Sequence, residues 1–441
     1  MAPHPRPAST LEIPGAWHTE VKGPASSVER DWWRAFRDPA LDTLVRQALE
    51  RNGDLRTARS RLQEYRARIT VAASAQQPGL TGTFNPSRQK IMSQFGFPLQ
   101  FNSIQGNVQA SYELDLFGRL AENTAAARFE YQSQQAAADA AALSVAANTA
   151  SGYLNLRGLD AQLELAHATL ASRQRSFELA RRQLEVGYSS RLDLAQAEAE
   201  LHAAAQVVPQ LKRSIADQES ALNVLIGASP GEIPRGAQLS ALKPPPVVPG
   251  LPSELLRRRP DIAEAERAIA AADASLAAAR DQLLPSIQLS ASAGPFGFDL
   301  PQLLQSPFLL WSVGGSVLAP IFNGGRLRAQ ADIAASQRDR AVFAYESVVR
   351  TAFAETENAL DGVERLEQQL TEAEARNTAA AEALRIAHNR YANGYASYLE
   401  ELDAQRTAFS AEVSVLQLKA SLLGANVDLY RALGGGWTAA Q

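Results

Sequence analysis

The chain has 441 residues, 46% of them hydrophobic, with 43 Lys+Arg against 47 Asp+Glu and a formal net charge of -4. This balance, without a basic tract, excludes the electrostatic footprint of a nucleic-acid partner. No run approaches the roughly 20 apolar residues of a transmembrane helix, so any membrane passage has to be a barrel, and zero cysteine excludes disulfides and thiolate metal sites.

The opening Met1-Ala2-Pro3-His4-Pro5-Arg6-Pro7 has no apolar h-region, so an exported chain is expected here with its signal already removed. After an N-terminal segment (1–40), the sequence repeats itself. Gly53-Asp54-Leu55 recurs as Pro260-Asp261-Ile262, Gly118-Arg119-Leu120 as Gly325-Arg326-Leu327, Gly187-Tyr188 as Gly394-Tyr395, and Leu225-Ile226-Gly227 as Ala432-Leu433-Gly434, each 207 residues on. The chain is a tandem duplication, with copies at 41–227 and 253–434, an inter-repeat linker at 228–252 and a C-terminal tail at 435–441. Consecutive prolines in Lys243-Pro244-Pro245-Pro246-Val247-Val248-Pro249-Gly250 make that linker extended.

Within each copy the hydrophobic period changes. From Ile104 to Leu116 every even position is apolar or Gly, while Gln105, Asn107, Gln109, Ser111, Glu113 and Asp115 take the odd ones. That is a strand with one oily and one wet face. Ile287, Leu289, Ala291 and Ala293 alternate with Ser286, Gln288, Ser290 and Ser292 in the same way, and shorter alternations run through 80–84 and 313–319. Four strands are expected, near 79–92, 103–117, 285–296 and 311–322, with loops near 85–102 and 294–311.

The rest is helical with coiled-coil spacing. Leu156, Leu159, Leu163, Ala166, Leu170, Phe177, Ala180 and Leu184 follow a 3-4 repeat broken only by Arg173. A second series from Leu194 to Leu225 follows Gly187, and the second copy repeats the pattern from Val363 to Ala387. A continuous helix from Arg119 to Val186 would be about 100 Å long, far more than an ordinary globular core requires. The fold class is mainly α with a membrane β part. Because closed barrels begin at roughly 8 strands, four strands must be completed by other copies. Two copies would make an eight-stranded barrel filled by its own side chains; three would make twelve strands with room for a lumen, which suits a duct. The wet face would then line the pore and the oily face would meet lipid, with Glu113 and Asp115 as lumen-lining candidates.

Five segments together carry a resemblance that spans essentially the whole chain: Asp31-Trp32-Trp33-Arg34-Ala35-Phe36-Arg37-Asp38-Pro39-Ala40-Leu41, Asn52-Gly53-Asp54-Leu55, Tyr112-Glu113-Leu114-Asp115-Leu116-Phe117-Gly118-Arg119, Arg257-Arg258-Arg259-Pro260-Asp261-Ile262 and Pro320-Ile321-Phe322-Asn323-Gly324-Gly325-Arg326. They resemble the TolC-type outer membrane efflux family, in its OprM-like lipoprotein branch. The resemblance implies a homotrimer with a twelve-stranded outer membrane β-barrel, a long periplasmic α-helical barrel, and an equatorial collar from the termini and linker. It also implies a periplasmic adaptor and an inner membrane transporter of the resistance-nodulation-division class as partners, and drug or small-molecule efflux as the activity. The lipidated cysteine typical of the branch has no counterpart in a sequence without cysteine.

Candidate site residues cluster at two turns between long helices. Gly187, Tyr188, Ser189 and Ser190 in the first copy, and Gly394, Tyr395 and Ser397 in the second, need only a Gly stop and a Ser cap to explain them; the resemblance makes them the tips that meet the adaptor. Asp193, Glu400, Glu401 and Asp403 follow directly. Ser190-x-x-Asp193 and Ser397-x-x-Glu400 have capping-box spacing, whereas Asp403, three residues after Glu400, adds like-charge repulsion. Three-fold symmetry would gather these carboxylates into rings, which select cations, and Glu400 and Asp403 match the family's acidic constriction by their spacing from the turn glycine. Arg191 and Tyr398, equivalent in the two copies, are expected to help hold this entrance closed. The scattered histidines His4, His18, His167, His202 and His388 have no metal-site spacing and are expected at the surface, and Gly324-Gly325-Arg326 lacks a P-loop lysine. No enzyme, metal or cofactor is expected. A type I secretion duct and a soluble coiled-coil scaffold are the alternatives, the latter disfavoured by four strands with lipid-compatible faces.

Overall fold

The computed structural model describes residues 6–8, 10–19, 28–243, 247, 249–305 and 307–437. His4, linker residues 244–246 and 248, and tail residues 438–441 lie outside them. After a 3-10 turn at Trp32–Phe36 come α1 (Pro39–Arg51), α2 (Gly53–Ser74), β1 (Gly79–Met92), β2 (Pro98–Leu114), α3 (Arg119–Glu185) and α4 (Arg191–Leu225). The second copy supplies α5 (Pro252–Arg258), α6 (Pro260–Asp281), β3 (Ser286–Gly297), α7 (Leu300–Gln305), β4 (Phe308–Leu318), α8 (Arg326–Ala392) and α9 (Tyr398–Ala432). The duplication is metric: α2 and α6 each have 22 residues, α3 and α8 each 67, and α4 and α9 each 35.

The copies are not the compact units. One unit gathers 60–136 and 264–347 with the first ten residues; the other gathers 11–59, 137–263 and 348–441. The first unit holds the sheet, antiparallel throughout in the order β1-β2-β3-β4. Its register puts like on like: Leu80 pairs with Ala110, Ala110 with Ala291 and Ala291 with Val313, and one step along Val108, Ala293 and Trp311 form the next oily row. On the opposite face Gln109, Ser292 and Ser312 line up, with a 2.8 Å hydroxyl contact between the two serines. Leu80, Trp311, Val313 and Val317 are each about 70% exposed or more, so the described residues leave this oily face uncovered. The outer edges of β1 and β4 have no strand partner among the described residues.

The loops differ from the expectation. β1 continues to Met92 and β2 starts at Pro98, which shrinks the first loop to 93–97. The strand includes Pro86, opposite Ile104. In the second loop Asp299 accepts from the Gln302 amide at 2.8 Å, and the Gln302 side chain accepts from the Phe298 amide at 3.0 Å. These bonds start α7, a short helix absent from the expected elements.

The second unit owns the larger core, where Trp32, Trp33, Phe36, Leu41, Leu44, Tyr153, Leu154 and Leu222 are all buried. Trp32 stacks on Tyr430 at 5.1 Å, and the Trp33 indole donates to Asp42 at 3.1 Å. Buried Asp38 caps α1 through the Ala40 and Leu41 amides and also accepts from the Tyr153 hydroxyl (2.8 Å) and the Ala237 amide (3.0 Å). It thereby ties the start of copy one to α3 and to the linker. Farther upstream the Trp17 indole donates to the Gly250 carbonyl at 2.8 Å, and Thr19 donates to Glu357 of α8 through its amide and hydroxyl.

The duplicated motifs share one task. The Asn52 side chain donates to the Leu225 carbonyl at 2.9 Å; its counterpart Arg259 donates to the Ala432 carbonyl at 3.2 Å, the equivalent helix end. Arg259 is buried and held by Asp261 and Glu355, each at 2.7 Å. Beyond those helix ends, a Cβ at Gly227 or Gly434 would lie 2.6 Å from the Arg51 carbonyl oxygen or 2.0 Å from that of Arg258. Glycine is required there because the chain passes against backbone.

Candidate functional site: two turns and the helices behind them

Both turns have the same backbone. Gly187 (φ +79°) and Gly394 (φ +76°) take left-handed conformations that cost an L side chain about 1–2 kcal/mol. The following tyrosine amides reach back to Gln183 and Arg390, each at 2.8 Å, which satisfies carbonyls left over at the ends of α3 and α8. Tyr188 and Tyr395 are 88% and 79% exposed.

The turns part ways at the start of the next helix. In the first, Ser190 and Asp193 complete a capping box: the Asp193 amide donates to the Ser190 hydroxyl (3.1 Å), the Asp193 carboxylate accepts from the Ser190 amide (3.0 Å), and Ser189 adds a third bond (3.0 Å). Partial burial pushes the Asp193 carboxyl up, but these bonds outweigh it and hold the group below the usual carboxylate range. In the second turn the expected box is absent. Ser397 makes no side-chain cap bond, and the Glu400 carboxylate pairs across the turn with Arg390 at 2.8 Å. An ion pair within reach outcompetes a return bond to the cap amide.

The expected entrance carboxylates separate into two groups. Glu400 and Asp403 are exposed, and Asp403 has no ion pair among the described residues. Glu401, by contrast, is 3% exposed and accepts from Gln405 (2.9 Å) while contacting His388 Nδ1 (2.8 Å). Tyr398 is also inside, 3% exposed in a cluster with Ala180, Ala197 and Leu402, and its hydroxyl has no hydrogen-bond partner among the described residues. Both face into the packed helices, which is where amphipathic spacing puts positions 398, 401, 402 and 405. Arg191 is exposed at the first position of α4, an end where the helix dipole disfavours a cation. Glu113 is engaged by Arg119 at 2.6 Å, and Asp115 accepts from the Leu120 and Ala121 amides to cap α3.

The two hairpins meet. The Tyr391 hydroxyl donates to Gln183 at 2.9 Å, and its ring lies 5.6 Å from that of Tyr398. Burial, with Glu401 and Asp193 nearby, pushes the Tyr391 phenol up to about 12. Deeper in the bundle Arg173 of α3 is buried beside Glu200 of α4, which Arg406 of α9 also binds at 2.9 Å. Burial lowers the Arg173 pKa against the opposing pull of Glu200. Sequence reasoning missed this polar cluster. Its one visible trace was Arg173 interrupting an apolar repeat. His388 is 60% exposed at its side chain yet is the residue that reaches Glu401; His18, His167 and His202 are exposed. Among the described residues no three His, Cys, Asp or Glu side chains converge as a metal site.

The family model described as outer membrane efflux protein matches residues 44–228 and again 251–435, once per copy. A Pseudomonas putida protein named probable efflux pump outer membrane protein TtgC is 36% identical over 419 residues, 93% of this chain and 86% of that one. Cation efflux system protein CusC of Escherichia coli is 33% identical over 417 residues, 94% and 90% of the two chains. The crystal structure of the open state of the Neisseria gonorrhoeae MtrE outer membrane channel superposes with a TM-score of 0.87 at 33% identity, covering 98% of each chain. A duplicated chain matched in each copy and over more than nine-tenths of its length by one family's sequences and folds leaves no place for the coiled-coil scaffold or secretion-duct readings: the chain belongs to the outer membrane efflux protein family.

Proposed function

We propose that three copies of this chain close one twelve-stranded barrel and serve as the passive exit duct of a tripartite efflux pump. The observation that carries this reading is the sheet, with one aligned oily face, one aligned polar face and, among the described residues, no strand partner at either outer edge. Open edges are not tolerated in lipid, and joining β4 of one copy to β1 of the next removes them. Twelve strands leave a water-filled interior lined by the polar face, while the N-terminal segment and residues 228–252 form a collar on the helices.

In this reading the turns at Gly187, Tyr188, Ser189 and Ser190, and at Gly394, Tyr395 and Ser397, meet a periplasmic adaptor, through which an inner membrane transporter hands over its cargo. Glu400 and Asp403 supply an acidic ring at the entrance, with Arg191 beside it, and rearrangement of the tips opens it. Asp193 and Glu401 serve the turns from within. The cargo is set upstream: relatives carry names as different as toluene efflux pump outer membrane protein and cation efflux system protein. Reconstitution in planar bilayers tests the duct and the ring together. The protein should conduct with a preference for cations, and Asp403→Ala should reduce that preference severalfold. Absence of any conductance would overturn the duct, and an unchanged selectivity in Asp403→Ala would overturn the ring.

A further inference from the structure

We propose that His388 and Glu401 form a proton-operated latch that fastens α8 to α9 behind the second turn and makes that hairpin tighter in acid than in mild alkali. The Glu401 carboxylate is 4% exposed at its side chain and His388 Nδ1 stands 2.8 Å from it across the turn. Its other hydrogen-bonding neighbour, Gln405, lies on its own helix, so among the described residues the hydrogen-bond contact between helices at this carboxylate is the histidine. The imidazole is 60% exposed and exchanges protons with solvent directly. Histidine changes charge between about pH 5 and 8. Protonated, it gives the buried carboxylate a charge-assisted bond; neutral, it leaves only a dipolar one. The contact is therefore stronger with a charged imidazole than with a neutral one.

The surroundings give the helix room to respond. A groove of about 590 Å³ runs beside the pair, lined by Arg175 and Leu179 of α3, Leu384 and Arg385 of α8, and Tyr398 and Gln405 of α9. Among the described residues the buried Tyr398 hydroxyl and Gln405 Oε1 have no hydrogen-bond partners. The other charged groups around the pair are already matched or fixed. Arg385 is held bidentately by Glu382, Arg390 is on Glu400, and Glu200 of α4 is shared by Arg173 and Arg406. Arg175 is exposed, and the Tyr391 and Tyr398 phenols are raised away from neutral pH.

The device is confined to one hairpin. The positions equivalent to His388 and Glu401 in the first copy are Arg181 and Leu194; Arg181 pairs along its own helix with Glu185, and Leu194 packs with the apolar cluster. The first turn has its own Ser190–Asp193 box, while the second, with no cap from Ser397, depends on contacts such as this one. The proposal rests on the reading of the turns as the entrance only for its effect on conductance. Hydrogen exchange on the detergent-solubilised full chain, expressed as protection factors, tests the latch without that reading. Protection of amides 389–399 should fall roughly fivefold from pH 5.5 to 8.0, as a charge-assisted bond becomes a neutral one. His388→Gln, which keeps a donor but cannot titrate, should abolish the pH response, and Arg181→Gln should leave it intact. A wild-type response surviving in His388→Gln, or no response in the wild type, would overturn the latch.

Discussion

Asp38 shows how one side chain can hold three stretches of sequence in place. Its carboxylate satisfies two amides at the start of α1, the Tyr153 hydroxyl on α3 and the Ala237 amide of the linker. Burial and the neighbouring carboxylate both raise the Tyr153 phenol, so that hydroxyl remains a donor throughout the physiological range. Asp38→Ala removes the cap, worth about 1 kcal/mol, and strands two buried donors at about 1–3 kcal/mol each. A loss on the order of 4 kcal/mol is expected, seen as a lowered midpoint in thermal melting of the detergent-solubilised protein, and Asp38→Asn should recover part of it. The Asp-Pro-Ala-Leu segment was legible as part of a family resemblance, but its role was not. Nothing local in sequence announces that Asp38 meets a tyrosine 115 positions away.

At the scale of elements, what could be read was whatever repeats with a period. The oily and wet faces of β2 and β3 and the long helices follow from spacing alone, and the sheet register aligns those faces row by row. Alternation fails around Pro86, yet β1 keeps its expected 79–92 span, while β2 starts at Pro98, five residues before the expected strand. The Asp299-x-x-Gln302 signal for α7 was present but brief. The tips were legible as turns and only half legible as caps, since an Arg390 side chain one turn before the glycine decides whether Glu400 returns to the cap. This asymmetry predicts unequal mutants. Ser190→Ala should raise limited-proteolysis rates at residues 186–193 about fivefold, in keeping with about 1 kcal/mol for a lost cap, whereas Ser397→Ala should change cleavage in the second turn by less than about twofold. Because Asp193 is held below its ordinary range, its contribution to the first turn is complete above about pH 4 and is lost only as pH falls through the lowered value.

For the whole molecule, duplication explains why equivalent positions do equivalent work with different chemistry, as Asn52 and Arg259 do at the ends of α4 and α9. It also explains an even number of strands and a sheet that ends in two open edges. Those edges test the central claim most directly, and the absence of native cysteine makes the test clean. Cysteines introduced together on the polar face of β1, at Thr81 or Thr83, and of β4, at Ser312 or Ser316, lie on opposite sides of a sheet about 15 Å across, too far apart for a bridge within one chain. Oxidation in membranes should therefore link neighbouring copies at one or more registers and give a denaturant-resistant ladder that stops at three chains. Products ending at two chains, or no linkage at any register, would contradict a barrel shared by three copies.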